Sequence, residues 1–586
     1  MKHFFLAVLL CACALLAKAN YTTPGTGIRW NLSQLALAAG NNNLSGSGNS
    51  WLMNDSIYIL PNDTLYITTN DTVRFAPGVF LSVKGVLTVN PPTQVVFTAQ
   101  NITSGFFGVW IDGNSGSMLK KLTFEYGNSV RLFNANILID SCTFHNCSPL
   151  TNFGNAAISL FQSSPMITNS SFVNNQRAAI AGGANISNAP RVMNCLFMGN
   201  NTLNQNVPQI NLGASGADTV KIIGNRFLRA SYNSGAIGFL PLGTLNAVIT
   251  GNLITENRYG ITFSGGSNIY SLVNYNIITN NNIDNNPNTG GSGISYSGGS
   301  ATSRQNSIVT GNYIAGNLWG ITVLNRAMPN LGNLNNADTT DDGKNYFVNN
   351  TNNATPNIDL YNNTPDTIYA QNNYWGSIDT AYAEQRIFHK PDNAALGIVI
   401  YKPTLAAPNF DFSVSLAGKN ALLQWNSVRE PMTVRYIIER SRDTTNFVAI
   451  DSMRINRSSR YSYVDSNIVP NTIYYYRIRT VNAYNVQDTS AVRSFYYDIP
   501  YSILQQVYPT AISNGNTMTV KILAPYAAPY QLIVYAMDGK KVMQQTGAVQ
   551  PGGNTIYLRI NNLPAGMYVL QANSNGLLRK TQFLVK

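Results

Sequence analysis

Between Val248 and Phe263 the chain reads ValIleThrGlyAsnLeuIleThrGluAsnArgTyrGlyIleThrPhe. Between Ser307 and Val323 nearly the same phrase returns as SerIleValThrGlyAsnTyrIleAlaGlyAsnLeuTrpGlyIleThrVal. Aligned on one apolar position, further copies anchor at Phe144, Phe172, Phe197, Phe227, Ile254, Ile278, Ile314, Phe347 and Trp375, with gaps of 28, 25, 30, 27, 24, 36, 33 and 28 residues. A repeat of this length marks stacked units that each bury their apolar side only against a neighbour. Each unit holds short strand-like alternations and no 3.6-residue periodicity, which points to coils of β-strand rather than helical repeats.

The register carries more than the period. Two residues before the anchor stand Cys142, Ser170, Cys195, Asn225, Asn252, Asn276, Asn312, Asn345 and Asn373. Three residues after it stand Cys147, Asn175, Asn200, Ala230, Asn257, Asn281, Asn317 and Asn350. Stacked about 4.8 Å apart, such asparagines can hydrogen-bond along the column, and asparagine also tolerates the left-handed backbone of a bend. A second strand follows each anchor, GlyIleThrPhe at 260–263, GlyIleSerTyr at 293–296 and GlyIleThrVal at 320–323. Its alternate apolar residues should face inward.

These columns resemble the right-handed parallel β-helix superfamily that includes pectate lyases and polygalacturonases. The resemblance covers residues 57–409 and implies an all-β solenoid. AsnTyrTrpGly (373–376), a short helical segment and a strand ending at Pro403 resemble the terminal coil of secreted β-helices. Residues 20–56 read as a lead-in that caps the first coil, with a helix over Asn31–Gly40, Ser33 near its start and Gly40 at its stop.

At 586 residues the chain is long for one core, so several domains are expected. Met1 and Lys2, an apolar run from Phe4 to Leu16 and AlaLysAla at 17–19 predict a signal peptide (1–19) cut after Ala19. The run is too short to span a bilayer. Cys142, Cys147 and Cys195 remain after cleavage, an odd number expected to be free thiols.

After a linker at 406–408, residues 410–498 alternate short strands with polar turns. They resemble a fibronectin type III-like β-sandwich, with Trp425 buried and Tyr474 or Tyr476 as the corner tyrosine. Residues 501–586, with MetAspGlyLysLysVal (537–542), LeuProAlaGlyMetTyrValLeu (563–570) and a closing PheLeuValLys, resemble the C-terminal sorting domain of type IX secretion cargo from Bacteroidota. The family's TyrProAsnPro opening is TyrProThrAla here. That resemblance implies the type IX machinery as partner, passage to the outer surface of a Gram-negative cell, removal of the domain and attachment to surface lipopolysaccharide.

The net charge of +12 is unevenly placed. Residues 20–409 hold 18 Lys+Arg against 17 Asp+Glu, whereas 410–586 hold 18 against 9. The solenoid is therefore close to neutral, which argues against nucleic acid as its partner.

A β-helix hydrolase needs close carboxylates, and a lyase needs a base beside carboxylates or a cation. The polygalacturonase signatures are not present as a set. AspThrThrAspAspGly (338–343) reads as a loop turn, with a metal site as the less favoured reading. His145 and His389 support no histidine-based site, so neither a catalytic set nor a metal or cofactor is expected. The residues left for function are Arg229 and Glu256 on adjacent coils, Arg258 beside them, and Tyr232, Tyr259 and Trp319, which share the position five past the anchor. A surface ion pair and aromatic packing are the plainer readings of these six, and carbohydrate contact the functional one. The expectation is a non-catalytic adhesin or glycan-binding surface protein; a polysaccharide lyase or glycoside hydrolase is the alternative.

Overall fold

A computed structural model describes residues 20–586 except 114–115, 149–154, 266–267, 300–304, 353–356, 378, 406–411, 419, 427–432, 457, 470–471, 483–486, 497–501 and 575. The segment 1–19, expected to be a signal peptide cut after Ala19, and the expected linker at 406–408 lie outside the described residues. Two compact units divide the chain at Asn409/Phe410.

The first unit is a parallel β-helix. Its coils lay their strands into three sheets, of 14, 13 and 11 strands, the third ending before the last coils. The anchor column is the inward row of the 13-stranded sheet: Phe144 pairs with Phe172, then Phe197, Phe227, Ile254, Ile278, Ile314 and Phe347 in unbroken register. Its rings stack face to face at 5.0, 4.9 and 4.6 Å from Phe144 to Phe227, and again at 4.6 Å between Phe347 and Trp375. The strand after each bend belongs to the 14-stranded sheet, where Phe239, Phe263 and Tyr296 form a second inward stack at 5.2 and 5.0 Å. Period-two alternation is what turns these residues into the core while Thr262, Ser295 and Thr322 face out.

Both asparagine columns are hydrogen-bond ladders. Asn252 donates its backbone N–H (3.0 Å) and its amide (2.9 Å) to Asn276 Oδ1, and Asn276 does the same to Asn312, each at 3.0 Å. Each amide also donates to a carbonyl of the preceding coil, as Asn312 does to Val273 at 2.8 Å. In the second column Ala230 cannot take part, and Gln209 replaces it: its Oε1 accepts from Asn200 at 2.8 Å and its amide donates to Asn257 at 2.9 Å. That ladder ends on a buried ion pair, with Asn350 donating to Asp359 (2.8 Å) and Asp359 held by Arg386 at 2.7 and 2.9 Å. Buried polar groups demand such partners, and the repeat supplies them coil after coil.

The bend itself corrects one expectation. The left-handed residue is not the column asparagine but the residue before it: Asn194, Gly224, Gly251, Tyr275 and Gly311 precede the first column, and Gly199, Arg229, Glu256, Asn280 and Gly316 the second.

Parallel winding starts inside the segment read as a lead-in. Tyr21–Thr22 pairs with Ile57–Ile59, and Arg29–Trp30 with Thr64–Ile67. The helix runs Leu32–Ala39 between Asn31 and Gly40, capped by a reciprocal Asn31–Gln34 box rather than by Ser33. Cys142, Cys147 and Cys195 are buried free thiols within the columns. Burial pushes Cys142 and Cys195 up to about 12 and raises Cys147 as well.

The second unit holds two antiparallel β-sandwich cores. In the first, Phe412–Ala417, Asn420–Asn426 and Arg460–Asp465 form one sheet, and the other is centred on Thr433–Ser441 and Ile473–Asn482. Trp425 is buried edge-on to Tyr436 at 5.4 Å. The Tyr474 hydroxyl accepts the Val469 N–H at 2.9 Å, while Tyr476 donates to Asp465 at 2.8 Å. In the second sandwich Ala528–Ala536 and Lys541–Val549 form a hairpin. Asp538, which accepts the Lys540 N–H at 2.9 Å, and Gly539 at φ 85° make its turn.

Candidate functional site

The largest gap between anchors, the 36 residues from Ile278 to Ile314, contains a loop from Asn282 to Gly291 that rises beside the outer face of the 14-stranded sheet. Together they enclose a groove of about 580 Å³. Its floor is the outward row of three neighbouring strands, Thr262, Ser264, Ser295 and Thr322, extended by Tyr361 and Asn363 on the next. Its rim is Pro287, Asn288 and Thr289 on one side and the rings of Tyr259, Trp319 and Tyr361 on the other.

Three of the six residues singled out in the sequence bond to this loop, and a fourth, Tyr259, lines the groove beside it. Arg258 donates through Nε to Asp284 at 3.0 Å, through one terminal nitrogen to Asn206 at 2.9 Å, and through the other to the Thr289 carbonyl. Asp284 also accepts from Thr289 Oγ1 at 2.9 Å, and its side chain is only 3% exposed. The Tyr232 hydroxyl donates to the Asp284 carbonyl at 3.0 Å, and the Trp319 indole to the Pro287 carbonyl at 3.0 Å. Arg258 is thus committed to holding the loop. Tyr259 fits because Gly235 lies under its ring, where an added Cβ would stand 2.0 Å away. Burial pushes the Tyr259 phenol up to about 12, so it stays a neutral hydroxyl at physiological pH.

One column assignment needs correction. Backbone pairing sets Tyr259 beside Gly235 and Ser292, and Ser292 beside Trp319; Tyr232 lies three residues before Gly235 and outside that row. The long Ser231–Ser234 turn, closed by the Ser234 N–H to Ser231 carbonyl bond, takes up the difference. Arg229 and Glu256 do not line the groove. They form an exposed ion pair at 3.1 Å on successive left-handed bend residues.

Trp319 and Tyr361 sit 5.2 Å apart at 49°, and Tyr361 stacks on Phe388 at 5.0 Å, giving an aromatic strip across three coils. Tyr361 escaped the sequence reading because the insertions after Phe347 break the repeat spacing. The described lining contains no carboxylate, and Arg258 is its single cation. Hydrogen bonding to neutral hydroxyls and stacking on apolar ring faces are what such a surface offers.

The other candidates are structural. Asp338 caps the turn at Thr340, and Asp341 accepts from Asn330 (2.6 Å) and Asn336 (2.9 Å). His145 pairs with Glu125 at 2.8 Å, and His389 with Glu384 at 3.2 Å. Among the described residues no group of three or more His, Cys, Asp or Glu could hold a metal ion.

A solenoid with an aromatic-edged groove, followed by two β-sandwiches, is the class of protein the fold defines. Residues 506–586 match the family model of the secretion system C-terminal sorting domain, and this segment marks the chain for export by type IX secretion to the surface of a Bacteroidota-type bacterium. No curated protein matches the chain. Among solved structures, the chicken interferon gamma receptor alpha chain is 12% identical, over 30% of this chain and 96% of that one, with a TM-score of 0.15. The FN1-FN3 domains of chicken CNTN1 are 15% identical, over 30% of this chain and 64% of that one, also with a TM-score of 0.15.

Proposed function

We propose that the chain is a non-catalytic surface protein whose solenoid binds neutral glycans through the groove at Tyr259, Trp319 and Tyr361. The observation that carries this reading is the groove's lining: three aromatic side chains beside Thr, Ser and Asn, without a carboxylate among the described lining residues. A glycosidase requires paired carboxylates, and a lyase base must be free to take a proton; Arg258, whose guanidinium is hydrogen-bonded to Asp284, Asn206 and Thr289, is not. In this reading the fibronectin type III-like sandwich is a spacer. The sorting domain is removed after export, and the mature protein is attached at the outer surface.

The test is an array of neutral and uronate-containing oligosaccharides probed with the full chain, alongside its Trp319→Ala variant. Binding without turnover, weakened about tenfold by the substitution, is expected. Release of reducing ends, or unsaturated-product absorbance from a uronate polymer, would instead make it a hydrolase or a lyase.

A further inference from the structure

The outer face of the 14-stranded sheet carries a second cleft, six strands before the first. At the usual strand spacing that is about 29 Å away, so the two cannot share one sugar ring. Its volume is about 460 Å³, and Tyr58, Phe80, Ser82, Lys84, Trp110 and Asp112 line it. None of these residues belongs to the groove described above.

Strand register explains the arrangement. Tyr58, Ser82 and Trp110 are direct partners on three successive strands, with Arg131 next in the row. The small Ser82 between two large rings leaves a slot. Tyr58 meets Phe80 edge-on at 5.6 Å, forming one wall. The Trp110 ring forms the other and is fixed from behind: the Arg131 guanidinium lies 4.4 Å from the Trp110 ring and 4.4 Å from that of Phe161. An indole held this way loses little freedom when a ligand stacks on it.

Lys84 and Asp112 complete the cleft. Val83 pairs with Ile111, so the next residue of each strand stands beside the other at the slot's rim. Among the described residues neither side chain has a hydrogen-bond or salt-bridge partner. An ammonium donor and a carboxylate acceptor one strand spacing apart suit neighbouring hydroxyls, which accept from the first and donate to the second. Asp112 also faces the Arg131 charge behind Trp110, so the cleft as a whole carries one net positive charge and offers only weak general attraction to polyanions.

We propose that this cleft is a second saccharide site, taking a single neutral pyranose whose C–H face stacks between Tyr58 and Trp110 and whose vicinal hydroxyls bridge Lys84 and Asp112. Its partner is thus a glycan read one residue at a time at a point remote from the first groove.

The probes are the methyl glycosides of glucose, galactose and mannose, titrated into the full chain and followed by saturation-transfer NMR. Asp112→Asn and Lys84→Met change only the rim, and an unchanged thermal melt verifies their folding. To silence the first groove the titrations are made in the Trp319→Ala background, where at least one glycoside is expected to bind, with affinity falling about tenfold when either rim substitution is added. Absence of binding by all three glycosides would overturn the proposal. So would binding in the Trp319→Ala background that survives both rim substitutions, or binding to the parent chain that disappears with Trp319→Ala alone.

Discussion

The solenoid and the sandwiches bury polar groups in opposite ways. In the solenoid the same amide recurs on coil after coil, so each ladder asparagine is both donor and acceptor to its neighbours, and the core is polar by design along two lines. In the first sandwich the buried polar groups sit in small isolated clusters that do not repeat, such as Glu439 with Arg477 and Arg479, and Asp465 with Tyr476 and Arg440. A ladder passes damage to the next coil; an isolated contact confines it.

The largest expected effect follows from the ladder. Asn312→Ala removes the acceptor of both Asn276 donors and the donor to Val273 and Asn345. Each buried group left unpaired costs about 1–3 kcal/mol, so the solenoid should lose roughly 4 kcal/mol or more, read as a lowered midpoint in calorimetry. A loss below about 1 kcal/mol would mean that the ladder is ornamental. Trp425→Ala comes next, at about 3–5 kcal/mol, for loss of a buried indole packed on Tyr436 and Tyr461. It should shift the sandwich transition and leave the solenoid transition in place. A common shift of both would break the contrast.

Gln209 lies between these cases, a non-repeating residue serving a repeating column. Gln209→Leu strands one acceptor need from Asn200 and one donor need from Asn257 while keeping the volume. About 2 kcal/mol is expected, measured by denaturant unfolding, less than at Asn312 because the column is already interrupted by Ala230.

Legibility in the sequence follows the same line. The anchors and ladder were readable because each residue's partner carries the same type at a fixed offset. Phe144 through Trp375 could therefore be aligned without knowing any contact. Gln209 was not readable: it fills its column from another strand, on the coil before Ala230 and out of register. The groove was legible in part. Arg258, Tyr259 and Trp319 stood out as residues the repeat did not need, whereas Asp284, Thr289 and Tyr361 lie in or beyond insertions, where spacing no longer fixes position. The 36-residue gap was the available signal for the loop. The N-terminal cleft gave none, since Tyr58, Trp110 and Asp112 precede the first well-formed repeats and meet only through pairing of the 14-stranded sheet.

The smallest effect is expected where repeat and surface meet. Glu256 and Arg229 occupy left-handed bend positions, at φ 57° and 47°, that are Asn or Gly on the neighbouring coils at 174, 199, 280, 316 and 349. Their ion pair is exposed, 80% on the arginine side, and such pairs contribute under about 1 kcal/mol. Glu256→Asn loses that pair but places at the bend a residue that enters the left-handed region more easily, a gain of similar size. The two should cancel to within about 0.5 kcal/mol in denaturant unfolding at low salt. Raising the salt screens the parent's ion pair but not the backbone preference, so the variant should become the more stable of the two. A variant that stays less stable at high salt would mean that Glu256 supports the fold by something other than its charge, and the bend would have to be counted with the ladder rather than with the surface.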